Sequence, residues 1–430
     1  MNTREPRRAS LPRARVVALL ALLALLAGCG SGVTGSRARA DDHQSCPQAV
    51  MATLASVLSR VYREGVHSER TASAEAMIKG SAALRAAIEK NDAPAAQKAV
   101  RALLATGHMT DVQITTVSGR RLVDLGGAAL APLHGTIKNA SGKPIASYLT
   151  SVWSDQGLIS ESSGVAEGLI VLRAADHNVG GSRALPEGPL PAAGTTTWRG
   201  AAYQFSSLPA RAYPSGAPVR IYLLRTVAAT ERLCGANSED TQVNTLERIA
   251  NLIYVGERGP RTLSQVHRVQ RNQALLQAVA RRDPAATKRA AEVLLHHHLV
   301  RLRVSAGGKL LYDLGGPFVL APVHAPLRLH GRQIGSIVIS IQDDEGYLRL
   351  ANRLVGLRVL MYMTGAAGHP RLVKNSLGPG AGKAGPQSVP ASGSYSFDGA
   401  SYRVFTVNAE AFPSGPLTIR VFVPEPYGEG

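Results

Sequence analysis

The chain has 430 residues, 48 Lys and Arg against 30 Asp and Glu, and a formal charge of +18 at pH 7. That length suggests two or three domains, each with enough chain to bury a core of its own. An apolar fraction of 45% excludes a disordered or multi-spanning chain, and three cysteines exclude a dense disulfide scaffold or a four-cysteine zinc or iron–sulfur site.

Arg4, Arg7, Arg8, Arg13 and Arg15 face a single acid, Glu5, ahead of an unbroken apolar run from Val16 to Ala27. Twelve apolar residues are too few to cross about 30 Å of hydrocarbon, so residues 1–28 read as an export leader. The closing Leu26-Ala27-Gly28-Cys29 resembles the bacterial lipobox. The resemblance implies an acylated Cys29 as the new N-terminus, and a chain lipid-anchored at the extracytoplasmic face of the cell membrane. Residues 29–45, which include GSGVTGSRARA, are small and polar, as a flexible tether is.

Without residues 1–28, 43 basic residues remain against 29 acidic ones. An exported chain with that balance meets anionic headgroups and wall polymers. The charges are scattered in sequence and aromatic content is only 5%, so nucleic acid is not an expected partner. Cys46 and Cys234 bracket the first half of the mature chain, and a disulfide between them would close a loop of nearly 190 residues. Two buried free thiols are the alternative.

An internal repeat follows at an offset of about 190 residues. Arg121-Leu-Val-Asp-Leu-Gly-Gly127 recurs as Leu310-Leu-Tyr-Asp-Leu-Gly-Gly316, and Leu130-Ala-Pro-Leu-His134 as Leu320-Ala-Pro-Val-His324. Ser151, Asp155 and Gly157 match Ser340, Asp344 and Gly346; Gly200, Tyr203 and Pro214-Ser-Gly216 match Gly399, Tyr402 and Pro413-Ser-Gly415. Two homologous domains, residues 46–235 and 240–425, are expected.

Each copy opens helical. Asp283-Pro284 places an N-cap before a proline at the first helical position, and the first copy has Asn91-Asp92-Ala93-Pro94 at the corresponding place. Leu263, Val266, Val269, Leu276 and Val279 read as one buried helical stripe. The period then changes to two: Val300, Leu302 and Val304 alternate with Arg301 and Arg303, and Gly307-Gly308 turns the chain into a hairpin strand over 309–312. Ile337, Ile339 and Ile341 line a third strand. Asp343-Asp344 starts a short helix carrying Leu348, Leu350 and Leu354. Leu417, Ile419, Val421 and Val423 line the last strand, echoed by Val219, Ile221 and Leu223. The fold class is α+β, each copy being N-terminal helices followed by an antiparallel sheet of about five strands.

The stretches VSAGGKLLYDLGG, IGSIVISIQDDEGY and AFPSGPLTIRVFV, in this order after a helical opening, resemble the PAS-like extracytoplasmic Cache sensor domains. The resemblance implies binding of a small metabolite, a carboxylate or an amino acid, between the sheet and its covering loops. Cache domains commonly sit between two membrane helices. This sequence offers no second apolar stretch of 18 residues, so a separate membrane receptor is the partner such a module would need.

No G-x-S-x-G, H-E-x-x-H or G-x-x-x-x-G-K-[ST] pattern is present, so no catalytic set, cofactor or metal site is nominated and the chain is not expected to be an enzyme. His296-His297-His298 fan out on either a helix or a strand and suit a helix C-terminus better than a metal. Asp124 and Asp313, before two glycines each, read as turn residues bonding nearby amides, and Asp155 and Asp344 as N-caps. Trp153 in one copy and Gln342 in the other differ where a pocket would be lined. The candidate ligand residues are Arg301, Arg303, Gln342, Asp344 and Tyr347, whose guanidinium and phenol groups suit an anion. The alternative function is a structural or interaction lipoprotein of the cell envelope that binds no small ligand.

Overall fold

Ser45 opens the first long helix, its backbone N–H donating to Gln48 Oε1 at 3.0 Å, with Pro47 in the first turn. This computed structural model describes residues 45–256, 258–295, 299–316, 319–364, 369–412 and 415–427. Residues 1–28, Cys29, the tether up to residue 44 and His296–His298 lie outside the described residues.

The first repeat begins with α1 (Cys46–Arg63), α2 (Glu69–Gly80), α3 (Ala82–Glu89) and α4 (Ala93–Leu104). Six strands follow: β1 (Asp111–Thr116), β2 (Arg121–Leu125), β3 (Ala129–Leu130), β4 (Leu133–Lys138), β5 (Pro144–Ser151) and β6 (Trp153–Ser154). Helix α5 (Asp155–Ala166) leads into β7 (Leu169–Ala174), β8 (His177–Gly181), β9 (Ala193–Trp198), β10 (Ala201–Tyr213) and β11 (Pro218–Thr226), then α6 (Val227–Glu231).

The second repeat runs through α7 (Ser238–Gly256), α8 (Pro260–Gln270), α9 (Gln273–Ala280) and α10 (Pro284–Leu295). Its first strands are β12 (Arg301–Ala306), β13 (Lys309–Gly315), β14 (Val319–Leu320), β15 (Val323–Leu329), β16 (Arg332–Ser340) and β17 (Gln342–Asp343). After α11 (Asp344–Val355) come β18 (Arg358–Thr364), β19 (Pro370–Asn375), β20 (Gly393–Phe397), β21 (Ala400–Phe412) and β22 (Gly415–Glu425).

Both repeats have the same topology. A four-stranded antiparallel sheet has the order β2-β1-β5-β4 in one and β13-β12-β16-β15 in the other. A seven-stranded sheet has the path β6-β3-β10-β11-β7-β8 with β9 on β10, repeated as β17-β14-β21-β22-β18-β19 with β20 on β21. The class is α+β as expected, but each repeat divides its strands between two sheets instead of forming one of about five. The two-residue strands that begin the larger sheet, β3 with β6 and β14 with β17, are too short to show any period in sequence.

Each four-stranded sheet is covered by its helical layer. Asp92 and Asp283 cap the last helix of each layer, accepting from Ala95 N and Ala286 N at 3.0 Å. The single helical stripe expected over 263–279 is broken in two, because Asn272 caps α9 by accepting from Leu275 N at 2.9 Å. Leu263 does not share the buried face and is 48% exposed, while Val266, Val269, Leu276 and Val279 are buried against the sheet.

The larger sheets are joined through helices. Helix α1 packs on β10, α7 packs on β21, and α1 packs on α7. One hydrophobic cluster therefore runs through both repeats, with Leu54 and Val57 of α1, Ile249 and Ile253 of α7, and Tyr347 and Leu354 of α11. Smaller clusters cover the opposite faces, Phe205 and Tyr222 in one repeat and Tyr362 and Phe422 in the other. Burial on both faces explains why Val359 to Met363 is continuously apolar. Cys46, the first residue of α1, is disulfide-bonded to Cys234, just past α6, with the two Cα atoms 5.6 Å apart. The described residues belong to one compact unit.

Candidate functional site

On β12, Leu302 and Val304 point into the core, which turns Arg301 and Arg303 to the opposite face of the four-stranded sheet. Both converge on Asp313 of the neighbouring strand. Arg301 donates from Nε and Nη2 to the two Asp313 oxygens at 2.9 Å each, and from Nη1 to the Gly316 carbonyl at 2.7 Å. Arg303 donates from Nε and Nη2 to Asp313 Oδ2 at 3.1 and 2.7 Å. The two guanidinium carbons lie 4.9 and 4.6 Å from the centre of the Phe412 ring. Desolvation alone would raise the Asp313 carboxyl, but hydrogen bonds from Arg301 and Arg303 outweigh it and hold its pKa below the ordinary value. A ligand carboxylate reaching these arginines would have to displace one already present.

The other candidates lie elsewhere. Gln342 is buried on β17, opposite Leu320. Asp344 lies 3.7 Å from Lys374 Nζ, and desolvation raises its pKa. Tyr347 is fully buried in the shared cluster, its phenol donating to the Ala250 carbonyl of α7 at 3.2 Å. The expected N-caps shift by one residue: Ser154 and Asp343 accept from Gly157 N and Gly346 N, and Asp155 and Asp344 open the first turn. Asp124 and Asp313 are likewise strand residues engaged by arginines. The turn after them is made by Gly126 and Gly315 with φ of +133° and +137°.

The first repeat inverts the charge of this face. Strand register puts Asp111 and Gln113 where the second repeat has Arg301 and Arg303, and Tyr213 where it has Phe412. Asp124, the counterpart of Asp313, is contacted by Arg121 at 3.0 Å and Gln113 at 3.4 Å. Asp111 is 1% exposed and accepts from Gly127 N. Its pKa is raised, chiefly by desolvation and further by the charge of Asp124, against hydrogen bonds from Thr110 and Gly127. Asp155, also raised by desolvation and by the charge of Asp111, shares this environment, as does the Tyr213 phenol.

A raised folded-state pKa means that the native chain binds this proton more tightly than the unfolded chain does. The resulting stability is present below the unfolded carboxylate pKa and is lost as pH rises through the folded one. Asp111→Asn keeps an acceptor for Gly127 and removes the charge. It is expected to raise Tm at pH 7, with the gain vanishing near about pH 3, where aspartates are protonated. Thermal melts of both proteins across that range test this; a lower Tm at pH 7 would show that the charge is needed.

A different set of side chains surrounds open space. Where the first repeat meets the second, a cleft of about 430 Å³ lies between the α1–α2 connection and α11. Glu64, His67 and Glu69 line it on one side, and Arg349, Arg353 and Arg358 on the other. Arg349 and Arg353 are four residues apart and so share a face of α11. Arg353 is paired with Glu64, whereas Arg349 and Arg358 are solvent-exposed. Ser68 fixes the opposite wall: its hydroxyl accepts from Thr71 N at 3.1 Å, capping α2, and donates to the Glu64 carbonyl at 2.7 Å. Gly356 ends α11 at φ +74°, where an added Cβ would stand 3.1 Å from the Arg60 guanidinium carbon. Guanidinium groups on one wall suit a small carboxylate, which each can engage through two parallel hydrogen bonds. No local sequence pattern unites this group, because its members come from both repeats; the i, i+4 spacing of Arg349 and Arg353 is its one signal in the sequence.

No protein-family model matches the chain, and no curated protein does. Among solved structures, it is similar to the periplasmic domain of Vibrio cholerae LuxQ at 10% identity, over 42% of this chain and all of that one, with a TM-score of 0.29. It is similar to the ligand-binding domain of the Pseudomonas fluorescens chemoreceptor CtaA, solved with L-isoleucine, at 14% identity over 41% and 95% of the two chains, TM-score 0.26. An extracellular ligand binding receptor from Desulfohalobium retbaense is similar at 12% identity over 41% and 39%, TM-score 0.24.

Proposed function

We propose that the chain is a lipid-anchored, extracytoplasmic module, without catalytic activity, that binds a small carboxylate or amino acid in the cleft between its repeats and presents that state to a separate membrane receptor. The observation that carries this reading is the cleft, with Arg349 and Arg358 exposed on a wall that faces the other repeat. A ligand there would touch both copies at once, which gives duplication a use in sensing. The Cys46–Cys234 disulfide fits a compartment outside the cytoplasm, and the leader with Cys29 supplies the route and the anchor. No helix among the described residues is long and apolar enough to cross a membrane.

A thermal-shift screen of single carboxylates and amino acids against the protein beginning at residue 45 tests the reading. A ligand present at 100 times its Kd adds about 2.7 kcal/mol to the stability of the folded state. The expected result is a rise of several degrees with at least one acid, abolished by Arg349→Ala with Arg358→Ala. No rise with any compound, or a rise that the double variant keeps, would overturn it. The second reading, a structural or interaction lipoprotein, draws support from Arg301 and Arg303 being already engaged by Asp313.

A further inference from the structure

The two helical layers occupy the same place in the two repeats but differ in charge. From Glu69 to Leu104 the first layer has six Lys and Arg against four Asp and Glu, whereas from Pro260 to Leu295 the second has seven against two. On α8, Val266 and Val269 face the sheet, which leaves Arg261, Leu263 and His267 outward, with Arg271 exposed just past the helix end. Arg281, Arg282, Lys288 and Arg289 are exposed on α10 and the turn before it. Leu263 and Val293 are 48% and 62% exposed within this basic surface. Between α8 and the end of α10 lies an open groove of about 660 Å³, lined by Leu263, Leu294, His267, Arg268 and Arg271. Arg268 ties the two helices by donating to the Leu294 carbonyl at 2.7 Å.

We propose that the outer face of α8–α10 docks on an anionic phospholipid bilayer, with the arginines against headgroup phosphates and Leu263 and Val293 entering the interface. A soluble polyanion would use the charges alone. Large apolar side chains exposed amid basic ones match a surface that is anionic outside and apolar just beneath. The first layer, with nearly balanced charge, should not dock. The surface is separate from the carboxylate cleft and does not depend on it.

The test is co-sedimentation of the protein beginning at residue 45, which lacks Cys29, with vesicles of phosphatidylcholine alone or with added phosphatidylglycerol. Binding is expected only with the anionic lipid and should weaken as salt is raised. Reversing Arg261, Arg271, Arg281 and Arg289 to Glu should weaken it by at least about tenfold, since each basic residue near the surface contributes attraction. Reversing Lys90, Lys98, Arg101 and Arg120 of the first repeat, which are also exposed, should change it less than about twofold. Leu263→Ser should weaken binding with no change in net charge. The proposal is overturned if anionic vesicles fail to sediment the protein, if the two charge reversals weaken binding alike, if Leu263→Ser has no effect, or if soluble polyphosphate binds where vesicles do not.

Discussion

Replacing Cys46 and Cys234 together by serine is expected to lower the unfolding free energy by about 5 kcal/mol, because their sequence separation is 188 residues. The disulfide closes almost the entire first repeat, from the first residue of α1 to the segment after α6. In the chain-entropy view its effect lies in the unfolded chain, which without it regains a large conformational freedom. Guanidinium unfolding monitored by circular dichroism checks this. The midpoint should fall, and the slope should rise as the unfolded state expands. A loss below about 1 kcal/mol would mean that the unfolded chain is already constrained in some other way.

Leu54→Ala should cost about 3 kcal/mol, within the usual range for deleting a buried leucine side chain and leaving a cavity. Leu54 is 1% exposed on α1, in the cluster that also holds Ile249 of α7 and Leu354 of α11. Because that cluster belongs to both repeats, the substitution should destabilise the whole unit and leave a single transition. Calorimetry, compared with tryptophan fluorescence, which reports only on Trp153 and Trp198 of the first repeat, distinguishes the outcomes. A second calorimetric transition unaffected by Leu54→Ala would show that the second repeat is stable by itself.

The duplication was legible because turn residues and alternating strands recur in order, and the structure repeats the strand order as well. The hairpin of β12 and β13 was equally legible, with Gly307 and Gly308 both at positive φ between strands. Two other features were not. Asn272 is an N-cap inside a stretch that reads as one stripe, since hydrophobic period alone carries across a short break between successive helices. Asp124 and Asp313 looked like turn acids, but the glycines make the turn and the carboxylates are drawn to arginines, within β2 in one case and across the sheet in the other.

The candidate site was less legible than the fold. Arg301 and Arg303 were selected for their charge, and which acid would claim them was a matter of strand register between β12 and β13. The Tyr347 phenol suits an anion by its chemistry alone, yet its position against α7 depends on packing between distant segments. The cleft of Glu64, His67, Arg349 and Arg358 joins residues nearly 300 positions apart, and no local pattern announces such a meeting.

The most direct test is titration calorimetry of the acid that gives the largest thermal shift, run on the unmodified protein and on the Arg349→Ala, Arg358→Ala variant. Saturable binding of one acid per chain is expected, weakened at least about tenfold in the variant by the loss of one charge-assisted contact or more. Undiminished affinity in a folded variant would place the ligand elsewhere and contradict the assignment of the cleft.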